Sequence, residues 1–138
     1  MSRIQGRVLV EASATAAALT CREPLSFWGG YDQFSGEIID RRHPLSGSNG
    51  KGCILVLPAS RGSSTTAAVL LEAIRQETAP AVIITSATDR FLSLAAIVAD
   101  EMYGRTVGVV QVDEADFEAL LGARELRVDA DGGITRLD

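Results

Sequence analysis

The sequence predicts an α/β domain with a compact β/β/α or barrel-like architecture, in which helices flank a mixed sheet. Short apolar runs alternate with helical patterns over residues 53–121, an order typical of parallel strands joined by helical crossovers. The flanking residues 7–40 and 124–137 are rich in strand patterns and predict an antiparallel part. No internal repeat or interdomain linker interrupts the 138 residues, so we expect one domain over residues 1–138.

The best-defined unit is a strand, a loop and a helix in the middle of the chain. Residues 53–57 (CILVL) are wholly apolar and too few for a helix, so we expect a strand buried on both faces and ended by Pro58. Residues 59–64 are small and polar apart from Arg61. Over residues 65–77 apolar side chains recur at helical spacing, which predicts a helix.

The loop before this helix is a candidate anion site. The first N–H groups of a helix lack internal partners, and the helix dipole adds partial positive charge there. Arg61 adds a full positive charge, so the loop would suit a carboxylate or a phosphate. The alternative is an ordinary structural turn, since any strand–loop–helix unit shares part of this pattern, with Arg61 as an exposed surface charge.

The N-terminal part of the chain carries weaker patterns. Residues 7–11 predict a strand, and residues 12–20 predict a loop or a short strand because their hydroxyl groups compete for backbone hydrogen bonds. Residues 37–40 (EIID) predict another strand. Phe27 and Trp28 precede two glycines, a pattern that favours core packing under a loop, with a site wall or a subunit contact as the alternative.

Beyond the central helix the alternation of strand and helix patterns continues. The expected strands cover residues 81–85 and 107–112, the helices residues 90–103 and 114–121, and a closing hairpin residues 125–128 and 134–137. Asp89 and Asp113 are the expected N-caps of the two helices, because a side-chain oxygen there can accept from a free backbone N–H. Gly104 and Gly122 stand where the helices should end.

Composition and charge argue against several classes of function. A net charge of -5 without any basic stretch argues against a nucleic-acid partner. No apolar run approaches a membrane span, and the first ten residues lack a signal-peptide pattern, so we expect a cytoplasmic protein with no membrane partner. Cys21 and Cys53 lack metal-type or paired spacing, which predicts free structural thiols and argues against a self-contained iron–sulfur cluster.

His43 is the sole histidine of the chain. A single histidine without a cysteine nearby in the sequence does not indicate a metal site. A phosphocarrier or acid–base role stays open, because imidazole titrates near neutral pH. The favoured interpretation is a loop histidine without chemistry of its own.

Three segments resemble the small swivel subunit of the aconitase X family. They are EPLSFWGGYDQFSGEIIDRRHPLSG, GCILVLPASRGSSTTAAVLLEAIRQETAPAVIIT and LAAIVADEMYG, and together the resemblance covers about residues 6–104. The resemblance implies a swivelling β/β/α fold like the swivel domain of aconitase. It also implies a hydro-lyase, in which a large subunit carries an iron–sulfur cluster and most of the contacts to the substrate.

In this family the small subunit supplies a serine as proton acceptor, and the residue that matches the motif here is Ser63. Ser64 could be the base instead, with Ser63 as the helix cap, or both serines could be structural caps. Arg61, Gly62 and Ser64 are then expected to contact the substrate. The resemblance further implies that this chain binds no metal or cofactor itself and is inactive without its large subunit, in a heterodimer or a higher assembly.

Two activities are known in the family: dehydration of cis-3-hydroxy-L-proline, mainly bacterial, and of mevalonate 5-phosphate, mainly archaeal. The arginine- and alanine-rich, lysine-poor composition favours a bacterial source and the first substrate. Loss of water beside a carboxylate needs a base, a Lewis acid and positive charge, and the loop offers the first and the third. The alternatives are a stand-alone anion-binding or regulatory module and a phosphohistidine swivel domain that would use His43.

Overall fold

An eight-stranded sheet that curves back on itself is the frame of the protein. The computed structural model describes residues 3–62 and 64–138. Its strands are β1 (Ile4–Gln5), β2 (Arg7–Val10), β3 (Ala14–Thr20), β4 (Leu25–Ser26), β5 (Ile54–Val56), β6 (Ser60–Arg61), β7 (Val82–Thr85), β8 (Gly108–Gln111), β9 (Glu125–Val128) and β10 (Gly133–Arg136). Its helices are the single turn α1 (Phe27–Gly30), α2 (Ser64–Gln76), α3 (Arg90–Tyr103) and α4 (Glu114–Leu120).

The order of the strands in the large sheet is β1-β10-β9-β3-β5-β7-β8-β2, while β4 and β6 form a separate parallel pair. The two end strands, β1 and β2, are consecutive in the chain and separated only by Gly6, so the sheet nearly closes into a barrel. The N–H of Gly6 donates to the carbonyl of Gly132 at 2.8 Å across this closure. The predicted barrel-like α/β fold with flanking helices is therefore confirmed.

The three parallel strands in the middle are buried on both faces, as their apolar runs predict. Strand β5 pairs in parallel with β7, and β7 with β8. Alternate side chains enter two cores, because successive residues of a strand point to opposite faces. Leu55 and Ile83 belong to the core under α2 and α3, whereas Ile54 and Ile84 belong to the core that α4 also enters.

The helices begin and end close to the positions that local signals predict. Asp89 accepts from the N–H of Leu92 and caps α3, and Gly104 ends it in the left-handed conformation with φ 66°. Asp113 caps α4 in the same way. In the described part of the chain, no helix is both long and apolar enough to cross a membrane.

Strand β3 differs from the predicted loop or short strand over residues 12–20. It has seven residues and lies in the centre of the sheet, pairing antiparallel with β9 through its first half and parallel with β5 through its second. Its sequence, ATAAALT, gives a weak strand pattern because most of its side chains are small. Pairing on both edges stabilises it, and such pairing cannot be seen in local sequence.

The predicted strand over residues 37–40 is wrong, because its backbone groups bond to several separate segments. Ile38 donates to Ser48, and Ile39 donates to Gly30. Residues 37–40 make only isolated bridges, and Ile38 is nevertheless fully buried. The apolar signal therefore reflects burial in a loop and not a ladder of strand hydrogen bonds.

Candidate functional site

The loop that the sequence singles out runs from the end of β5 to the start of α2. Strand β6 lies inside it and pairs with β4, so that Ser26 is the register partner of Arg61. Arg61, Gly62 and Ser64 are all exposed, and Ser64 is the first residue of α2. Ser63, the expected base, lies outside the described residues.

Gly62 is needed for the shape of this loop. Its φ is 120°, a backbone conformation that residues with a Cβ rarely adopt. A Cβ on Gly62 would also lie 3.0 Å from Oγ1 of Thr66. A side chain at this position would therefore strain the turn between Arg61 and the helix.

Arg61 lines a surface cavity of about 580 Å³, together with Glu23, Pro24, Ser26, Asp40, Arg41, Arg42 and His43. Among the described residues, the guanidinium groups of Arg41, Arg42 and Arg61 have no hydrogen-bonding or ion-pair partner. Most other arginines of the chain are paired with an acidic side chain. Three positive charges thus face a cavity that contains two carboxylates, and they can receive an anion.

The turn that carries Arg41 and Arg42 is held by its neighbours on both sides. Oδ1 of Asp40 accepts from the N–H of Arg42 at 3.0 Å. Nδ1 of the buried His43 accepts from the N–H of Leu45 at 3.1 Å, and its Nε2 lies 3.3 Å from the carbonyl oxygen of Glu23. The imidazole therefore carries its proton on Nε2 and donates it to Glu23.

This arrangement favours the structural interpretation of His43. Both ring nitrogens are occupied by main-chain groups, so neither is available for phosphate transfer or for a metal ion. Sequence reasoning missed Arg41 and Arg42 as site residues, although the RRHPL turn was part of the recognised pattern. What the sequence did not reveal is that this turn and Arg61 share one cavity.

Trp28 corrects the prediction that both aromatic residues of the SFWGG segment are core. Phe27 is fully buried, and its ring centroid lies 5.3 Å from that of Tyr31. Trp28 is 67% exposed, because its extended conformation and the left-handed Gly29 turn the chain outward within α1. It adjoins the site, since Ser26 donates a side-chain hydrogen bond to the carbonyl of Trp28 at 3.0 Å.

The described residues do not suit a metal or an iron–sulfur cluster. Over residues 3–62 and 64–138 there is no group of three or more His, Cys, Asp or Glu side chains able to hold a metal ion. Cys21 is buried, and Cys53 is partly buried. Burial raises the pKa of the Cys53 thiol, which disfavours the thiolate that a metal would need.

Comparison with known proteins decides the family of this chain. The family described as the aconitase X swivel domain matches residues 3–137. The chain belongs to the aconitase X family. A crystal structure of Thermococcus kodakaraensis aconitase X in its holo-form superposes with a TM-score of 0.85 and 29% identity, covering all of both chains.

Two kinds of relative with similar sequences differ in length. A cis-3-hydroxy-L-proline dehydratase of Pseudomonas aeruginosa is 46% identical over 108 residues, which are 78% of this chain and 19% of that protein. A phosphomevalonate dehydratase small subunit of Methanothermobacter thermautotrophicus is 36% identical over 134 residues, which are 94% of this chain and 95% of that protein. The chain spans about a fifth of the cis-3-hydroxy-L-proline dehydratases that it matches.

Proposed function

We propose that this chain is the small subunit of a two-subunit dehydratase of the aconitase X type. It would act with a large subunit, in a heterodimer or a higher assembly, to remove water from a small hydroxy acid. The observation that carries the proposal is the cavity lined by Arg61, Arg41 and Arg42, in a chain of this family. We further propose that residues 1–138 are one swivel domain, which the family match over residues 3–137 supports.

The preferred substrate is cis-3-hydroxy-L-proline. The 46% identity to the Pseudomonas aeruginosa dehydratase supports this choice, as does a 38% identical relative of the same name from Hypocrea jecorina. A carboxylate of the substrate would lie against the unpaired guanidinium groups. Positive charge there stabilises the carboxylate as it gains enolate character during proton removal.

Ser63 is the proposed base, and Arg61, Gly62 and Ser64 the proposed substrate contacts. A serine hydroxyl is a weak base, so it needs local positive potential to favour its alkoxide. The 13-residue helix α2 begins one residue later in the sequence, and its N-terminus and Arg61 supply that potential. The proton taken from carbon would pass to the serine oxygen.

The iron–sulfur cluster of the proposed enzyme is assigned to the large subunit, because the described residues of this chain offer no ligand set for it. A bound iron ion supplies a Lewis acid for the leaving hydroxyl. The small subunit would then supply the base and the positive charge. The isolated chain would then be inactive.

The test is to combine this chain with the large subunit encoded by the same genome and to measure turnover of cis-3-hydroxy-L-proline. Ser63→Ala should lower kcat by a factor of about 10² to 10⁴, the usual contribution of a positioned acid or base. Size-exclusion chromatography should show unchanged assembly. Ser64→Ala is the comparison variant, and as a substrate contact Ser64 should affect KM more than kcat. A large loss of kcat in Ser64→Ala with near-normal kcat in Ser63→Ala would exchange the two roles.

A second candidate substrate is mevalonate 5-phosphate. The end-to-end match to a phosphomevalonate dehydratase small subunit favours it, and three free guanidinium groups would also suit a phosphate. Turnover of the two substrates by one preparation of the complex separates these candidates. If neither is turned over, while the isolated chain binds a carboxylate or a phosphate, a non-enzymatic anion-binding module is favoured.

A further inference from the structure

Asp89 is a buried carboxylate that joins helix α3 to the site loop. The residue is 6% exposed. Its Oδ1 accepts from the N–H of Leu92 at 3.1 Å, the ordinary bond of an N-cap. Its Oδ2 accepts two further bonds from Ser60, from the main-chain N–H at 2.7 Å and from the hydroxyl at 2.6 Å. One side chain therefore holds two separate segments through three charge-assisted hydrogen bonds.

Ser60 is the residue before Arg61 in β6, so its position constrains that of the arginine. The pairing of β6 with β4 is only two residues long. Such a short strand pair has little stability of its own, because few hydrogen bonds hold it. The bonds from Asp89 add a fixed anchor at the start of β6. Ser60 and Asp89 lie on the wall of a second cavity of about 480 Å³, which Gly62 and Arg90 also line.

We propose that Asp89 is a positioning residue, which acts through Ser60 to hold Arg61 and the loop before α2 in the geometry that dehydration requires. This inference rests on the proposed function. Asp89 does not line the arginine cavity, and both of its carboxylate oxygens already accept hydrogen bonds from Ser60 or Leu92, so its role is to orient and not to bind. Because Asp89 also caps α3, the position of Arg61 depends on where that helix begins.

Asp89→Asn separates this role from capping. Asparagine is as good an N-cap as aspartate, so the bond to Leu92 can be kept. The amide nitrogen that replaces Oδ2 is a donor and cannot accept from the N–H of Ser60. Asp113→Asn is the matched control, because Asp113 caps α4 and, within residues 3–62 and 64–138, its side chain accepts only from the N–H of Asp116.

The first measurement is steady-state kinetics of the assembled enzyme. Asp89→Asn should lower kcat by about tenfold or more, since small displacements of catalytic groups cost that much. Asp113→Asn should leave kcat and KM unchanged. Ser60→Ala, which removes only the hydroxyl bond, should lower kcat by less. In the double variant Asp89→Asn with Ser60→Ala, the loss of kcat should be smaller than the product of the two single losses, because both substitutions remove the same contact.

The second measurement is amide hydrogen exchange of the isolated full-length chain, which needs no turnover. Exchange at Ser60 and Arg61 should be faster in Asp89→Asn than in the wild type, with α3 still protected. Equal kcat and KM in the Asp89 and Asp113 variants, or unchanged exchange at Ser60, would overturn the inference. An inactive wild-type complex with faster exchange would instead refute the proposed function and leave the anchoring of the loop established.

Discussion

Thr66 Oγ1 lies 3.2 Å from the main-chain carbonyl oxygen of Arg61 and donates a hydrogen bond to it. Thr66 is fully buried in the first turn of α2, so the bond ties the helix back to β6 across Gly62. The position of Arg61 thus depends on a threonine that does not line the cavity.

Thr66→Val tests this link, because valine has a similar shape but no hydroxyl donor. We expect the free energy of unfolding to fall by about 1 kcal/mol, the net contribution of a typical intramolecular hydrogen bond. The kcat of the assembled enzyme should fall as well, since the loop loses a constraint. Urea denaturation and steady-state kinetics measure the two effects. Thr65→Val, at the exposed neighbouring position, is the control, and an equal response of both variants would contradict the assignment.

The three arginines that line the cavity give a prediction about substrate affinity. Arg41→Gln, Arg42→Gln and Arg61→Gln should each raise KM, by about tenfold for a lost charge-assisted hydrogen bond. Their effects should weaken as salt is added, because exposed charges are screened. The measurement is KM of the assembled enzyme at two ionic strengths. Arg127→Gln is the control, since Arg127 on β9 pairs with Asp129 and does not line the cavity.

A variant that combines the three substitutions to glutamine tests whether the cavity binds the substrate at all. If all three arginines are replaced and KM stays at the wild-type value, the cavity does not bind the substrate anion. If only Arg61→Gln raises KM, the anion contacts the loop alone, and Arg41 and Arg42 serve another purpose.

The sequence predicts those parts of the fold that rest on local signals. Asp89 and Gly104 mark the ends of α3 because capping needs only a side chain and its nearest backbone groups. The buried strands β5, β7 and β8 follow from their unbroken apolar runs. Where the central strand β3 lies, the sequence predicts only a loop or a short strand, because pairing on both edges stabilises β3 more than its own small side chains do.

The sequence likewise predicts only the part of the site that depends on local signals. The rest depends on contacts between distant segments. Arg61 follows from the composition of a loop before a helix. Arg41 and Arg42 lie about twenty residues away in sequence, and they reach the same cavity only because the turn after Asp40 is tied to the segment before β4 by His43. A hydrogen bond from a side chain to a distant carbonyl leaves no periodic signal in the sequence.

Closure of the barrel at Gly6 gives a prediction about stability. A Cβ at this position would clash with Cγ1 of Val110 and would lie 3.2 Å from the carbonyl oxygen of Gly132. Gly6→Ala should therefore lower the free energy of unfolding by about 1 to 3 kcal/mol, as overpacking does. Urea denaturation of the full chain is the measurement.

A double variant identifies the cause. Val110→Ala removes the closer contact, so Gly6→Ala combined with Val110→Ala should be less destabilised than the sum of the two single variants. Additive losses would mean that the crowding at the side chain of Val110 is not what makes glycine necessary.

The ion pair between Arg3 and Asp131 predicts how stability depends on pH. Arg3 donates to both carboxylate oxygens of Asp131 at 2.6 and 2.8 Å, which lowers the pKa of that carboxyl, and the N–H of Gly133 lowers it further. A carboxyl with a lower pKa in the folded state stabilises the protein above its unfolded pKa. This contribution is lost as the pH falls through the folded pKa, that is, below about pH 4.

Asp131→Asn should therefore make the acid-side fall in unfolding free energy shallower than in the wild type. Asp116→Asn provides a control of opposite sign, because burial and the neighbouring Asp113 raise the pKa of Asp116. A carboxyl with a raised pKa gains stability on protonation, so its removal should make the acid-side fall steeper. Urea denaturation between about pH 2 and pH 6 measures all three proteins. Identical pH profiles for the wild type and Asp131→Asn would show that the pair with Arg3 does not stabilise the folded protein.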